Sequence, residues 1–357
     1  MRNHEILNSI PLLDAKGNLT EPGWARQQFC KYERKAIRAP KFRIKEWDYY
    51  IVIHDGKADG TESFAAAFTI SDNGYVGLQS VTLLNLDEGR SADATATILN
   101  VFPMGRLHLP ESSEDGDVKY EDKRLTMRFE KENNRRHLTC RMANFHENEP
   151  FTADIELIQP KSDTMVIATP WEKKGHFYYN QKINCMSASG EITYDGKAYT
   201  FNPETDYGTL DWGRGVWTYD NTWYWGNGNA KVDGHNFGFN LGYGFGNTSA
   251  ASENIVFIDG IAHKLDDVDF GIPKDADPKD MDAPDYMATW HLTSSDKRFK
   301  AEFKPVFDRS AKLDFKAIVS DQHQVFGRLT GYAVLDCGKK VEFEDILVFF
   351  EKVHNKY

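Results

Sequence analysis

Residues 41–53, Lys-Phe-Arg-Ile-Lys-Glu-Trp-Asp-Tyr-Tyr-Ile-Val-Ile, alternate between two sets of side chains. One set includes Trp47 and Tyr49, and the other includes Asp48 and Tyr50. Successive side chains of a β-strand point to opposite faces, so this period of two predicts one long strand with two distinct faces. Because helical periodicity is scarce in the rest of the chain, we predict an all-β protein.

Turn signals at hairpin spacing support the same fold class. Asn-Gly and Asp-Gly pairs accept the positive φ angles of type I′ turns, and six of them separate short alternating runs. They begin at Asp55, Asn73, Asp115, Asp195, Asp233 and Asp259. Strands joined by such turns form antiparallel barrels or sandwiches rather than βαβ units.

The length of the chain is consistent with two β domains. At roughly 150 residues per domain, 357 residues correspond to two domains or to one large β unit. We predict one domain over residues 1–160 and a second over residues 161–357, which carries a segment rich in tryptophan and glycine. The acidic, proline-containing stretch 266–284 is predicted to be an exposed loop.

Charge and composition exclude several classes of partner. The 43 basic and 54 acidic side chains give a net charge of −11, which argues against nucleic acid or an anionic membrane as the main partner. The N-terminus lacks a signal-peptide core and no long apolar run follows, so we expect a cytoplasmic protein without integral membrane contact. Four distant cysteines without a CxxC pair predict neither disulfides nor a zinc knuckle. The oligomeric state is left open.

The segment 201–250 contains twelve aromatic residues, ten glycines and four of the eight tryptophans. Tryptophan buries a large surface and still offers an N–H donor, which suits the wall of a binding cavity. The alternative is a thick barrel core filled by the same rings. The predicted substrate-binding side chains are Trp212, Trp217, Trp223, Trp225, Tyr178, Lys182 and Tyr243.

Glycines occupy one face of residues 237–246 while bulky side chains occupy the other. Interior glycine weakens a strand, so either a neighbouring side chain or a ligand must approach the bare backbone there.

Asp211 is the predicted proton donor. It lies between Leu210 and Trp212, where a carboxylate loses hydration and its pKa rises. Arg214 follows three residues later and is expected to pair with Asp211, either as its positioning partner or as a structural clamp. Glu253 is predicted to be a second carboxylate of the same cavity, or else to be exposed in a loop.

Several common reaction classes lack their motifs in this chain. Neither His-x-His nor HExxH spacing occurs, and GxSxG and Walker A motifs are absent from the sequence. We therefore predict no metal and no cofactor, and we disfavour serine hydrolases, nucleotide-driven enzymes and Rossmann oxidoreductases.

The motif Asp211-Trp-Gly-Arg-Gly-Val-Trp217, followed by Trp223-Tyr-Trp-Gly226, resembles the family known as domain of unknown function 2804. Thr169-Pro-Trp171 and Ser252-Glu-Asn254 add to this resemblance, which extends from about residue 10 to the C-terminus. More remotely, the chain is similar to the lipocalin-like group of carotenoid 1,2-hydratases, tocopherol cyclases and AttH-like proteins. That similarity implies two consecutive lipocalin-like antiparallel β-barrel or sandwich domains with a ligand cleft inside or between them.

Three functional hypotheses follow. The first is a hydratase-, cyclase- or isomerase-type enzyme that protonates a small, largely apolar molecule, with the proton supplied by Asp211 and the cation sheltered by tryptophan rings. The second is a carrier of a lipid or another hydrophobic ligand without catalysis. The third is a carbohydrate-active enzyme in which Asp211 and Glu253 or Asp259 act as paired carboxylates. In each case the partner is a small molecule.

Overall fold

The computed structural model describes residues 2–87, 92–274, 283–314 and 319–356. Within these ranges the regular structure is β-strand together with three 3₁₀ helices, Arg34–Ala36, Lys41–Arg43 and Gly56–Ala58, and there is no α-helix. The prediction of an all-β protein is confirmed. The acidic stretch 266–284 falls partly outside the described residues.

Fifteen strands in the described residues precede Trp217. They are β1 Ile10–Pro11, β2 Gly23–Ala25, β3 Cys30–Lys31, β4 Lys45–His54, β5 Phe64–Asp72, β6 Val76–Asn85, β7 Ala92–Val101, β8 Val118–Glu121, β9 Leu125–Glu132, β10 Arg135–His146, β11 Glu149–Ile158, β12 Met165–Pro170, β13 Phe177–Tyr194, β14 Lys197–Phe201 and β15 Tyr207–Val216. Strands β1 and β3 form a small parallel pair. The other thirteen form the first sheet, whose main order is β7-β6-β5-β4-β15-β13-β11-β10-β9-β8, while β12 and β14 also pair with β13 and β2 pairs with β12.

Nine further strands form the second sheet. They are β16 Asp220–Val232, β17 His235–Tyr243, β18 Ile255–Ile258, β19 Ile261–Lys264, β20 Val268–Asp269, β21 Trp290–Ser294, β22 Phe299–Asp314, β23 Val319–Val334 and β24 Lys340–Lys356. Their order is β19-β18-β17-β16-β24-β23-β22-β21-β20, with antiparallel neighbours throughout.

Sheet membership changes between Val216 and Asp220 rather than near residue 160. Strands β13 and β15 pair with β11 and β4, which lie before residue 160 in the chain. Backbone hydrogen bonding therefore assigns residues 165–216 to the first sheet. Whether residues 1–160 form a folding unit of their own stays a prediction.

The period of two gives each strand two faces, and on β4 both faces carry buried apolar side chains. On β4, Tyr50 and Val52 pack in the core of the first sheet, whereas Ile51 packs with residues of the second sheet. The second sheet has its own core, which includes Phe239 and Phe350. Two further apolar clusters lie between the sheets, so the faces that meet there decide what a ligand can contact.

Some of the predicted Asp-Gly turns have the backbone geometry of type I′ turns, and others do not. Asp195-Gly196, Asp233-Gly234 and Asp259-Gly260 each join neighbouring strands with positive φ at both residues, as a type I′ turn requires. In contrast, Gly56 begins a 3₁₀ helix in a longer loop. The predicted strand 41–53 begins only at Lys45, because residues 41–43 form a 3₁₀ turn in which Ile44 N–H donates to Lys41 O.

Candidate functional site

Hydrogen-bond register aligns the polar side chains of the first sheet in one row across six strands. Each member is paired with the next through β13, β15, β4, β5, β6 and β7. This first row consists of Lys182, Asp211, Tyr49, Thr69, Ser80 and Thr97. It therefore changes along its length from an ammonium–carboxylate end to a hydroxyl end.

A second row lies across the second sheet and has the same kind of register. It passes from β17 through β16, β24 and β23 to β22. Its members are Gly242, Trp225, Glu351, Gln324 and Arg309. All members of both rows except Gly242 line one cavity of about 510 Å³ between the sheets.

Aromatic rings wall the same cavity beside the charged groups. Phe245 is the hub: its ring centroid lies 4.6 Å from Tyr178, 5.3 Å from Trp217 and 5.3 Å from Trp223. The Trp47 and Tyr178 rings stack at 6.1 Å. The rings contact one another and still leave a space between the sheets that is partly open to solvent, so the cavity is a cleft with a packed aromatic wall.

Lys182 and Asp211 form a buried ion pair at the charged end. The Lys182 Nζ lies 2.7 Å from Asp211 Oδ2, and Asn180 donates from Nδ2 to Asp211 Oδ1 at 2.6 Å. The ammonium also lies 3.9 Å from the Trp225 ring centroid, within range of a cation–π contact. Asp211 therefore has two fixed partners, and Lys182 is held over an aromatic face.

Glu351 is a cavity carboxylate that the sequence interpretation missed. Trp223 donates from Nε1 to Glu351 Oε1 at 3.1 Å, and loss of hydration raises the pKa of Glu351 to about 7 although Trp223 and Lys182 oppose the shift. A signal for it exists in the sequence: Glu351 interrupts the apolar face of β24 that includes Phe349 and Val353. An acid that follows five buried apolar residues on a strand indicates a carboxylate in an apolar environment, as Asp211 between Leu210 and Trp212 does.

Glu253 is buried, with 7% of its surface exposed, so the loop-exposure alternative is wrong. Burial raises its pKa, and Asp211 adds to this effect while Lys182 and Lys264 oppose it. A Cβ atom at Gly242 would lie 3.2 Å from Glu253 Oε2. The bare backbone at Gly242 thus accommodates a side chain of the protein itself.

Tyr178 lies among these carboxyl groups. Burial raises its pKa well above the usual value, and the negative charges of Glu253, Asp211 and Glu351 raise it further. Its hydroxyl therefore stays protonated and can donate a hydrogen bond. We call Asp211, Glu253 and Glu351, grouped near Lys182 and Tyr178, the carboxylate cluster.

Arg214 does not pair with Asp211, so the expected ion pair is wrong. It lies on the opposite face of β15, where its Nη2 donates to Asp48 Oδ1 at 2.9 Å and its Nη1 donates to the Trp47 carbonyl oxygen at 2.7 Å. The physical reason is parity, because residues 211 and 214 are three apart and a strand places them on opposite faces. Arg214 is fully buried and acts as a clamp between β15 and β4.

Two predicted substrate-binding rings also lie away from the cavity lining. Trp212 packs edge-on against Tyr179, at 5.6 Å, in the core of the first sheet. Tyr243 stacks on Tyr224 at 4.4 Å beside the core of the second sheet. Each ring lies on the face of its strand that points toward the core of its own sheet and away from the cavity.

The other predicted side chains do line the cavity. They are Tyr178, Lys182, Asp211, Trp217, Trp223, Trp225 and Glu253. The lining residues that the sequence interpretation did not select include Trp47, Tyr49, Arg309, Gln324 and Glu351. In the part of the chain that the structure describes, no group of three or more His, Cys, Asp or Glu side chains could hold a metal ion. No helix among the described residues is long and apolar enough to cross a membrane.

The comparisons with known proteins agree with this architecture. The profile of the family described as domain of unknown function (DUF2804) matches residues 3–357. An AttH-like protein from Nitrosomonas europaea superposes with a TM-score of 0.52 at 14% identity, covering 90% of this chain and 95% of that one. Kievitone hydratase from Nectria haematococca superposes with a TM-score of 0.52 at 12% identity, covering 98% of both chains. No curated protein sequence matches the chain. These likenesses establish the fold alone and confirm the predicted lipocalin-like class.

Proposed function

Because this chain belongs to the DUF2804 family and has the fold of AttH-like and hydratase proteins, we propose that it is a hydratase-like enzyme. It would act on a small, largely apolar molecule by protonating it inside the cavity between the two sheets. The observation that carries this proposal is the carboxylate cluster, which lines one cavity together with tryptophan, tyrosine and phenylalanine rings. Such a site combines a proton source with surfaces that favour developing positive charge.

Glu351 is the proton donor in this proposal, in place of Asp211. The ion pair with Lys182 and the hydrogen bond from Asn180 hold Asp211 as an acceptor. Glu351 has a pKa raised to about 7 by burial, and a general acid works best when its pKa lies near the working pH. Asp211 then positions Lys182, which lowers the pKa of Glu351 and keeps it in that range.

The reaction proceeds through a positively charged substrate. Glu351 transfers its proton to an alkene carbon, a C–H bond forms from the π electrons, and the adjacent carbon becomes cationic. Ring faces of Trp223, Trp217 and Phe245 stabilise that charge. Water then adds and loses a proton in hydration, or a neighbouring C–H bond loses its proton in isomerisation. In this proposal the Glu253 carboxylate, in its ionised form, accepts that proton, and proton exchange with water returns Glu253 and Glu351 to their starting forms.

The test is incorporation of deuterium into carbon. Purified protein in D₂O is incubated with a panel of alkene-bearing terpenoids and prenylated phenols, and products are analysed by mass spectrometry. We expect at least one compound to gain carbon-bound deuterium with the wild type and with Glu344→Gln, a control carboxylate that is exposed on the same strand. Glu351→Gln should abolish the gain, because an amide cannot supply the proton.

The other hypotheses are outcomes of the same experiment. A carrier binds a member of the panel, quenches tryptophan fluorescence and returns the compound without deuterium. A carbohydrate-active enzyme ignores the panel and releases sugar from glycosides instead. Full deuterium incorporation by Glu351→Gln would remove this side chain from the mechanism.

A further inference from the structure

Acidic side chains outnumber basic side chains in the lining of the cavity. Among the described residues, four acidic and two basic side chains contribute to the lining. They are Asp93, Asp211, Glu253, Glu351, Lys182 and Arg309. The other lining residues are aromatic, aliphatic or uncharged polar side chains, and the uncharged polar ones include Thr69, Ser80 and Thr97. An anionic ligand would therefore enter against the field of the cavity walls.

Both cations already have anionic partners. Lys182 is engaged by Asp211, at 2.7 Å. Arg309 lies with its Nε 3.3 Å from Asp93 Oδ2 and donates from Nη2 to Thr82 Oγ1 at 2.9 Å, across the gap between the sheets. After these two pairs are formed, Glu253 and Glu351 are the acidic groups of the lining in excess. Both lie beside rings whose faces attract cations.

We propose that this cavity is selective for positively charged ligands and binds an organic ammonium group at Glu253 and Glu351 more tightly than an uncharged isostere or a carboxylate. The inference rests on the proposed function, because it assigns the charge of the ligand of that same site. The ligand class is an organic ammonium ion held by the ionised carboxylates, and the substrate of the proposed reaction is a neutral molecule that becomes cationic after Glu351 has given up its proton. A carboxylate or phosphate ester is disfavoured.

The selectivity for cations is expected to increase with pH, because Glu351 must be ionised to attract an ammonium ion. Lys182, Asp211, Arg309, Tyr49 and Tyr178 are the titratable or charged groups that act on Glu351 from the neighbouring strands. With a pKa of about 7, Glu351 is protonated in mildly acidic solution and must lose its proton to pair with an ammonium ion. Affinity for the cation therefore rises with pH and levels off above that pKa, whereas acid catalysis falls over the same interval.

The experiment uses three probes of similar shape with the full-length protein. They are benzyltrimethylammonium, its carbon isostere neopentylbenzene, and phenylacetate, each titrated by tryptophan fluorescence from about pH 5 to about pH 8. We expect the ammonium ion to bind about tenfold more tightly than the isostere at the alkaline end, with phenylacetate weakest. Below the pKa the advantage should shrink by up to about tenfold per pH unit.

Variants separate this inference from the proposed function. Glu351→Gln should reduce the pH dependence of ammonium binding and weaken neopentylbenzene binding less than ammonium binding, while Glu344→Gln should behave as wild type. Glu253→Gln should also weaken ammonium binding, most at the alkaline end of the range, because burial raises the pKa of Glu253. Equal affinity for the three probes would overturn the inference even if deuterium is incorporated. If the protein selects cations but incorporates no deuterium, the proposed catalysis is wrong and the inference about the charge of the ligand is retained.

Discussion

At the scale of the residue, parity along each strand determined which side chains meet. Asp211 and Arg214 are neighbours in sequence and yet point into different environments, one with Lys182 and the other with Asp48. Burying one member of an ion pair without its partner is costly, because the lone charge has lost its hydration. The Lys182–Asp211 pair therefore contributes both to stability and to the electrostatics of the cavity.

Removing Lys182 alone should be strongly destabilising. We expect Lys182→Met to lower the free energy of unfolding by about 3 kcal/mol or more, because Asp211 is left as an uncompensated buried charge. The double variant Lys182→Met/Asp211→Asn should recover most of that loss. Urea denaturation measures both.

An exposed pair of the same type provides the control for this prediction. Lys197→Met, which breaks the half-exposed contact with Glu62, should change the free energy of unfolding by less than about 1 kcal/mol. Equal losses for the Lys197 and Lys182 variants would contradict a buried, functional ion pair. Lys182→Met should also move the pH profile of ammonium binding upward, since the Lys182 charge lowers the pKa of Glu351.

At the scale of the element, glycines allow neighbouring strands to share the cavity wall. A Cβ atom at Gly213 of β15 would lie 2.1 Å from Trp47 Cζ2 of β4, which is shorter than any stable contact. Gly226 of β16 has the same relation to the ring of Phe350, which lies in the core of the second sheet rather than in the cavity wall. At both positions the ring that fills the space belongs to the protein. Gly213 is therefore what lets the Trp47 ring lie flat against β15 beside Tyr178.

Substitution of Gly213 should displace Trp47 and open the wall. We expect Gly213→Ala to lower the free energy of unfolding by about 1–3 kcal/mol through overpacking. In a Trp47→Ala background the same substitution should cost less, because the obstructing ring is gone. A double-mutant cycle followed by urea denaturation measures the coupling. Additive costs would show that the backbone, and not the indole, excludes a side chain at this position.

At the scale of the whole molecule, the site exists only where the two sheets face each other. The first row supplies Lys182 and Asp211, and the second row supplies Trp225 and Glu351. The pairing of β13 with β15 is interrupted by a bulge at Cys185. Beside this bulge the two sheets are also hydrogen-bonded to each other, because Asn184 donates from Nδ2 to Asn229 Oδ1 of the second sheet at 2.9 Å. Ligand binding should therefore depend on both sheets at once.

The division of the chain can be tested by splitting it in two places. Fragments 1–218 and 219–357 leave each sheet with its complete set of strands, whereas fragments 1–160 and 161–357 separate β4 and β11 from β15 and β13. We expect the first pair, when co-expressed, to assemble and to bind benzyltrimethylammonium, and the second pair to assemble poorly. Better assembly of the second pair would instead support the boundary predicted at residues 160/161.

The sequence alone determined the fold class and much of the site. Alternating side chains require strands, and type I′ turn pairs join several of them. Seven of the ten predicted site residues line one cavity, and four of the seven belong to the tryptophan- and glycine-rich segment. These inferences succeeded because strand period and turn chemistry are local properties.

Tertiary structure decided the rest. Strand order brings Glu351, near the C-terminus, beside Trp225 and opposite Asp211, and it directs Arg214, Trp212 and Tyr243 into separate cores. No local pattern specifies which strands pair or which sheet face meets another. That choice follows from burying the apolar faces of the whole chain together, and it decided which acid, which cation and which rings form the cavity.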